Sequence, residues 1–263
     1  MIEYATAAEF IRPTEVGRTG PAIISCQSNS NDQLELFCKF SDGCDEGVVN
    51  LAREVVAACL AADLNLPVPK PYLVEVSEEF ISLVPDDQTR GRMERSSRLC
   101  FGSSKAPNQF STWPSEGRVT ETMRPIAAAV LLFDGIVQNV DRRESNPNCL
   151  SRGNELRIID HELCFATRLL LGWTPPWLTG GFDSLRKPGN HMFFKGLFGS
   201  QIDYTPIKVA WKDLSNERID EYEAAIPTDW SAAKSDVESA VDLIRKARDH
   251  IDDCVAEMRR VLS

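Results

Sequence analysis

Short apolar runs separated by polar turns dominate the first hundred residues and predict a small β-sheet. The expected strands are residues 20–27, 34–40, 72–76, 80–84 and 99–103. One helix is expected among them, because apolar residues recur at helical spacing from Val48 to Asp63 and prolines follow at positions 67 and 69. The charged stretch 86–98 matches neither pattern and is predicted to be a loop.

The rest of the chain has mainly helical patterns. A strongly apolar helix is expected over residues 123–139, and an amphipathic one is expected from Ser235 to Leu262. Two short apolar runs predict a tight hairpin over 149–159. A segment rich in Ser, Pro, Asn and Gly separates the two parts, so we divide the chain into 1–103 and 104–263. The pattern predicts an α+β fold, with a β-rich first part containing one helix and a larger, mainly helical second part.

Composition and charge narrow the classes of protein. The chain has 263 residues, with 39 acidic against 29 basic side chains and a formal net charge of −10. This acid excess argues against direct nucleic-acid binding, which needs a dense basic face. The eight cysteines form no C-x-x-C pair and no signal peptide is recognised, so we expect a reduced, cytoplasmic protein. The longest apolar run, Ile126 to Phe133, is far shorter than the roughly 20 residues of a membrane helix, so no membrane association is expected.

The segment 138–162 is the first candidate for chemistry. Asp141 and Asn146 have the same spacing as the catalytic Asp and the metal-binding Asn of a kinase catalytic loop. A hairpin folding about Gly153 would also place Asn146 opposite Asp160, and such a pair of oxygen ligands suits Mg²⁺. The alternative is a polar turn in which Asp160 caps the next segment.

The first part of the chain contains further groups that phosphoryl transfer needs. Lys39 lies in a predicted strand and Glu54 in the helix that follows, which is the expected order of a phosphate-binding Lys and its orienting Glu. The alternatives are an edge-strand lysine in solvent and a glutamate on the polar face of the helix. Gly17-Arg-Thr-Gly-Pro21 precedes the first predicted strand and could cover phosphates with its backbone, although it is not a Walker A loop.

Six motifs follow one another along the chain: Gly17-Arg-Thr-Gly-Pro21, Phe37-Cys-Lys39-Phe, the helix with Glu54 ending in Leu66-Pro-Val-Pro69, Leu99-Cys-Phe-Gly-Ser103, Asn139-Val-Asp-Arg142 with Asn146-Pro-Asn148, and Ile158-Ile-Asp-His161. Taken in order, these motifs resemble the HipA-like kinase family, and the similarity is closest to its short, single-unit bacterial branch. HipA proteins are bacterial serine/threonine protein kinases with a two-lobed fold similar to that of protein kinases. The resemblance therefore implies a small β-rich N-lobe and a larger helical C-lobe, with ATP and Mg²⁺ bound between them.

The resemblance also implies a role for each matching residue on the ATP side of the site. Lys39 would contact the α- and β-phosphates, and Glu54 would orient it. The turn made by Gly17, Arg18, Thr19 and Gly20 would cover the phosphates. Phe101 and Gly102 would form the inter-lobe hinge beside adenine.

On the acceptor side, Asp141 would be the catalytic aspartate, Arg142 would neutralise nearby carboxylates or phosphate, and Asn146 with Asp160 would hold Mg²⁺. The implied substrate is a protein, for which a translation component such as an aminoacyl-tRNA synthetase is one candidate, and an antitoxin or other regulator is a candidate partner. Glu162 stands where the family often has Gly, and Arg143 where it often has His. A small-molecule phosphotransferase, or an interaction protein on the same fold that has lost activity, is the alternative function.

Overall fold

Five strands of the N-terminal part close into a barrel in the order β1-β2-β3-β5-β4. The computed structural model describes residues 2–14, 17–107, 109–166 and 172–263. The barrel strands are β1 (Glu3–Pro13), β2 (Ala22–Ser28), β3 (Gln33–Lys39), β4 (Pro71–Glu75) and β5 (Leu99–Ser104). β1 was not predicted, and it closes the barrel by pairing antiparallel with β2 and parallel with β4. Its inward side chains are small alanines with low strand propensity, which explains why the pattern was missed.

Three helices lie among the described residues of this part, so the prediction of a single helix was wrong. The predicted helix is present as α1 (Val48–Asp63). The apolar run expected to be a strand at 80–84 belongs instead to α2 (Glu78–Ser82), and the expected loop contains α3 (Asp87–Arg95). Both short helices begin at a capping side chain, because Ser77 Oγ accepts from the backbone of Phe80 at 3.1 Å and Asp86 Oδ1 accepts from that of Thr89 at 2.8 Å.

The C-terminal part is mainly helical, as expected, so the molecule is a mixed α/β protein with a β-rich N-terminal region. Its helices are α4 (Arg124–Val137), α5 (Phe194–Leu197), α6 (Thr205–Lys212), α7 (Asn216–Ala224), α8 (Lys234–Asp249) and α9 (Ile251–Leu262). A small sheet is formed by β6 (Ser111–Thr112), β7 (Cys149–Arg152) and β8 (Glu155–Ile158). The predicted final helix is interrupted at His250. Across the described ranges, no helix is long and apolar enough to cross a membrane.

Helix α1 joins the barrel to the C-terminal helices. Every residue from Asn50 to Ala61 is buried, and the apolar ones belong to a core shared with α4, α8 and α9. Arg53, although charged, is only 4% exposed and donates to Asp236 Oδ1 on α8 at 2.7 Å. Asp63, at the other end of α1, accepts from Arg218 Nε at 2.7 Å. The helix that carries Glu54 is therefore held at both ends by the C-terminal part.

The cysteines are all free thiols, and seven of the eight are buried. Burial and the charge of Asp253 raise the pKa of the Cys254 thiol to about 12. Burial raises the pKa of the Cys149 thiol to about 11. Such thiols stay protonated at neutral pH and pack as small apolar groups.

Candidate active site

Lys39 lies at the centre of a largely buried group of charged side chains. Its Nζ is 2.7 Å from both Glu54 Oε2 and Asp160 Oδ1. Glu162 Oε2 is 3.3 Å from the same atom. Lys39 ends β3, Glu54 lies in α1, and the other two acids follow β8. Three separate segments of the chain thus converge on one ammonium group.

These contacts keep Lys39 and Glu54 charged. Burial alone lowers the pKa of Lys39, but the three carboxylates outweigh it and raise that pKa well above its usual value. Burial likewise raises the pKa of Glu54, whereas the charge of Lys39 and the hydrogen bond from His161 together lower it well below its usual value. The backbone N–H of His161 donates to both oxygens of Glu54, at 3.0 Å each. A fixed cation and a fixed anion therefore form the centre of the site.

Burial and neighbouring carboxylates disfavour the negative charge of Glu162. Burial raises the pKa of its carboxyl, Lys39 lowers it, and the neighbouring charges of Asp160 and Glu54 raise it again, so that the pKa lies above its usual value. The backbone oxygen of Glu162 accepts from Asn50 Nδ2 at 3.0 Å, which ties this segment to α1. The side chain is thus held inside the site and adds a third carboxylate beside Lys39.

The acids Glu54, Asp160 and Glu162 fit a divalent cation. One oxygen from each lies within 4.8 Å of the others. Three carboxylates face a single lysine, so the group carries more negative than positive charge. Mg²⁺ prefers hard oxygen ligands of this kind. Asp160 also has φ 62°, a left-handed conformation uncommon outside Gly, Asn and Asp and often found at functional sites.

Asp141 lies in the loop between α4 and β7, and two amides orient it. Its Oδ2 accepts from Asn146 Nδ2 at 2.8 Å and from Asn148 Nδ2 at 3.0 Å. Asn146 thus bonds to Asp141, while Asp160 bonds to Lys39, and the expected convergence of Asn146 and Asp160 stays a prediction. A role of Asn146 at a metal ion stays a prediction.

The register of the hairpin differs by one residue from the one expected. Leu150 pairs with Arg157, one residue later than a turn centred on Gly153 requires. Gly153 and Asn154 form a two-residue turn instead, and Gly153 has φ 56°, which the first position of such a turn favours. A shift of one residue changes which side chains lie opposite each other along the whole hairpin.

Arg142 is completely buried, at 0% exposure. Its Nε donates to Asp134 Oδ2 at 2.7 Å, and its Nη1 donates to the backbone oxygens of Asn148 and Ile159. His191 Nε2 lies 2.9 Å from the same oxygen of Asp134. We expected Arg142 among the catalytic residues. The structure places it in the core, where it neutralises Asp134 and ties the Asp141 loop to the segment that carries Asp160.

The glycine-containing turn lies at the edge of the charged group. Residues 17–20 form a turn between β1 and β2, in which Gly20 N donates to Gly17 O at 3.0 Å. Arg18 Nη1 is 2.5 Å from Asp45 Oδ2, and Arg18 Nη2 is 3.7 Å from Glu162 Oε1. Thr19 is buried. The turn therefore brings one exposed positive charge to the mouth of the site.

The predicted hinge residues lie within the barrel. Phe101 is buried and pairs in register with Lys39 on one side and Leu73 on the other. A Cβ at Gly102 would lie 2.6 Å from Val74 Cγ2, so the close packing of the strands requires glycine there. Contact of these residues with adenine stays a prediction, but the pairing does place Phe101 beside Lys39.

A family model described as HipA-like kinase matches residues 7–171, which is more than half of the chain. The chain belongs to the HipA-like kinase family. The resemblance seen in the sequence motifs is therefore confirmed, and family membership indicates a kinase-type activity with ATP as the implied phosphoryl donor. No curated protein matches the chain.

The family match covers the whole charged group, from the glycine turn to Glu162. The region after residue 171 lies beyond the match but reaches back to the same site. His191 contacts Asp134 beneath the Asp141 loop, and Asp236 contacts Arg53, the neighbour of Glu54. The C-terminal region of this HipA-like kinase therefore supports the parts that the family shares.

Sequence reasoning missed three residues that position the site. Asn50 and His161 join α1 to the segment that carries Asp160. Asn148 joins Asp141 to the same segment, because its side chain donates to Asp141 and its own backbone oxygen accepts from Ile159 N at 3.0 Å. Asn50 offered a signal, because it is a polar residue at the start of an apolar helix. For His161 the signal was weak, because its backbone N–H makes two of its contacts with Glu54 and its ring Nδ1 adds a third at 3.3 Å.

Proposed function

We propose that this HipA-like kinase transfers the γ-phosphoryl group of ATP to a serine or threonine hydroxyl of a protein. The observation that carries the proposal is the convergence of Lys39, Glu54 and Asp160, with the Asp141 loop tied to them through Asn148. Phosphoryl transfer needs a cation on the phosphates, a carboxylate to orient that cation, an acidic metal ligand and a group that accepts the hydroxyl proton. Lys39, Glu54 and Asp160 would supply the first three of these groups, and Asp141 would supply the fourth.

On the ATP side, Lys39 would exchange its contact with Asp160 for the α- and β-phosphates while keeping its contact with Glu54. Arg18 and the backbone of the glycine turn would face the outer phosphates, at the edge of the site where Arg18 lies now. Asp160 and the amide oxygen of Asn146 would hold Mg²⁺. Bound Mg²⁺ neutralises phosphate charge and orients the phosphates for transfer.

On the acceptor side, Asp141 would accept the proton of the attacking hydroxyl. The acceptor oxygen forms a bond to the γ-phosphorus, the bond from that phosphorus to the bridging oxygen breaks, and ADP leaves with the electron pair. Asn146 and Asn148 fix the Asp141 carboxylate before the reaction begins. Positioning and charge neutralisation then supply most of the rate enhancement.

We further propose that the two parts of the molecule act as the two lobes of a kinase-like fold. The barrel with α1 would be the N-lobe and the helical part the C-lobe, divided near residues 103 and 104. The last barrel strand, β5, ends at Ser104, which supports this division. ATP would then bind between the lobes, with Phe101 and Gly102 on the adenine side.

The test is incubation of the chain with γ-labelled ATP and Mg²⁺, alone, with cell extract and with purified aminoacyl-tRNA synthetases. Asp141→Asn serves as the control. Labelled phosphoserine or phosphothreonine that is absent with the variant supports the proposal, and a regulator of the antitoxin kind would suppress that label. Label on metabolites alone would replace the proposal with a small-molecule phosphotransferase. No label and no shift of the melting temperature with Mg·ATP would contradict any kinase and favour an interaction protein.

A further inference from the structure

Arg92, on helix α3, donates from its guanidinium directly to the backbone of the glycine turn formed by residues 17–20. Its Nη1 is 2.8 Å from the backbone oxygen of Gly20, and this contact joins residues that lie 72 positions apart in the chain. The glycine turn is the segment expected to cover the phosphates of ATP. A residue that holds the turn therefore bears on nucleotide binding.

The absence of a side chain at Gly20 makes this contact possible. A Cβ at that position would lie 2.3 Å from Arg92 Nη1 and 2.6 Å from Arg92 Cζ. Gly20 also has φ 57°, a left-handed conformation that glycine adopts without strain. The guanidinium thus packs against the backbone of the turn, in space that the Cβ of any other residue would fill.

A second glycine packs against the turn from the segment that follows β3. A Cβ at Gly43 would lie 2.1 Å from the backbone oxygen of Thr19 and 3.4 Å from Arg92 Cδ. Thr19 is itself only 5% exposed. The middle of the glycine turn is therefore fixed against Gly43, and the side chain of Arg92 lies beside the same contact.

Polar contacts tie the segment of Gly43, the short helical turn Ser41–Gly43, to the end of α3. Arg95 Nη2 is 2.9 Å from Asp42 Oδ2, and Asp42 N donates to Ser96 Oγ at 3.0 Å. Helix α3 thus holds the glycine turn in two ways, directly through Arg92 and indirectly through this short helical turn.

The position of the glycine turn decides where Arg18 lies. Arg18 Nη1 is 2.5 Å from Asp45 Oδ2, and Arg18 Nη2 is 3.7 Å from Glu162 Oε1. The hydrogen bond with Asp45, together with the charges of Asp45, Glu162 and Asp141, raises the pKa of Arg18, so its charge lies near the Asp141 loop as well. A displaced turn would move this positive charge away from the side of the site where the phosphates are expected.

We propose that Arg92 is a positioning residue for ATP, which fixes the glycine turn where its backbone and Arg18 meet the outer phosphates. The inference rests on the proposed function for the phosphates, and on the contacts of Gly20 and Gly43 for the placement of the turn. Arg92 acts through the turn and not on the nucleotide itself. Its loss weakens the hold on the phosphates and leaves the adenine contacts unchanged, because those are expected at the hinge in β5.

The test compares the affinities of ATP and adenosine for the full chain, measured by calorimetry with Mg²⁺ and without an acceptor. We expect Arg92→Ala to weaken ATP binding about tenfold and adenosine binding less than about twofold, since one hydrogen bond with a charged donor is worth about that much. Arg92→Lys keeps a charged donor toward Gly20 and should recover most of the ATP affinity. Arg90→Ala is the matched control, because it removes the same charge from the same helix, whereas Arg90 donates to Val84 O at 2.7 Å and pairs with Asp87.

Hydrogen–deuterium exchange of the chain without nucleotide is the second measurement. Peptides that cover the glycine turn should exchange faster in Arg92→Ala than in wild type. Gly43→Ala should have the same effect, because its Cβ would displace the backbone of Thr19. Arg90→Ala should exchange like wild type.

An equal loss of ATP and adenosine affinity in Arg92→Ala would overturn the inference, because the residue would then support the fold in general. Unchanged ATP affinity, or unchanged exchange of the glycine turn, in a variant with an unchanged melting temperature would also overturn it. A wild-type chain that binds no ATP, but whose turn exchanges faster in Arg92→Ala, would contradict the proposed function and leave the role of Arg92 in placing the turn standing.

Discussion

Replacing Asp134 with asparagine is expected to destabilise the fold by about 3–5 kcal/mol, because it leaves the buried guanidinium of Arg142 without its counter-charge. Both side chains are 0% exposed, and their ion pair is 2.7 Å long. Asn139 and His191 contact the same carboxylate, at 2.9 Å each. The substitution therefore perturbs the anchor beneath the Asp141 loop without touching the reacting groups.

The pKa of Asp134 gives a second estimate of this magnitude. Burial raises that pKa, but the charge of Arg142 and the contact with His191 outweigh it and lower the pKa to about 2. Against an unfolded value of about 3.9, this difference corresponds to roughly 2–3 kcal/mol at neutral pH. It is smaller than the first estimate because it omits the cost of burying Arg142 unpaired. Because the folded pKa is depressed, the stabilisation is present above about pH 4 and is lost as the pH falls toward about 2.

The assay is urea and thermal unfolding of wild type and Asp134→Asn at pH 7, with Asp141→Asn as a control of identical chemistry at a half-buried site. For a domain of this size we expect a fall in melting temperature of roughly 10 °C for Asp134→Asn. The control should lose much less, because among the described residues its carboxylate is held by two neutral amides and not by a buried ion pair. A loss of less than about 1 kcal/mol in Asp134→Asn would refute the role of this ion pair as the buried anchor of the loop.

Three further predictions address the packing and charge of the site. Gly102→Ala should cost about 1–3 kcal/mol of stability in urea unfolding, because its Cβ would lie 2.6 Å from Val74 Cγ2, and an unchanged midpoint would contradict this packing argument. Asp236→Ala should lower kcat while the protein stays folded, because it leaves Arg53 with Glu46 as its remaining carboxylate partner and removes the contact between α1 and α8; unchanged kinetics would show that the contact is not needed to hold that helix. Glu162→Gln should raise ATP affinity up to about fivefold in calorimetry, since it removes a negative charge from the phosphate side, and a lower affinity would instead identify Glu162 as a metal ligand.

Local patterns were sufficient to predict the elements that place the ATP-binding residues. α1 has the predicted bounds because its apolar residues follow helical spacing and prolines follow its end at positions 67 and 69. β3 contains Lys39 as expected, although it ends one residue before the predicted strand 34–40, so the contact between a strand lysine and a helix glutamate could be anticipated from order alone. The division at 103 and 104 stays a prediction.

The elements that were not predicted include α3, which begins at a capping side chain, and β1, which closes the barrel. α3 has only Thr89 and Met93 buried, too few apolar positions for a helical pattern, so its start at Asp86 was the usable signal. β1 is held by pairing with strands distant in sequence, and its pattern of alanines is weak. Short-range hydrophobic periodicity contains no information about such long-range pairing.

At the site, the identity of the residues was easier to predict than their partners. Lys39, Glu54 and Asp160 converge, but Glu162 joins them, which no spacing rule indicates. Arg142 follows Asp141 directly and yet turns into the core, because Asp134 in α4 offers it a buried counter-charge. Which way a side chain turns depends on tertiary contacts that a local motif does not encode.

The central claim is that the carboxylates around Lys39 form a Mg·ATP site, and calorimetric titration of ATP into Asp141→Asn tests it most directly. That variant keeps the ATP-binding groups and removes turnover from the measurement. We predict that one ATP binds per chain and that its affinity rises when Mg²⁺ is added. In the double variant Asp141→Asn/Asp160→Asn, the addition of Mg²⁺ should no longer change the affinity for ATP. Binding of ATP that is indifferent to both Mg²⁺ and Asp160, or no binding at all, would contradict the account.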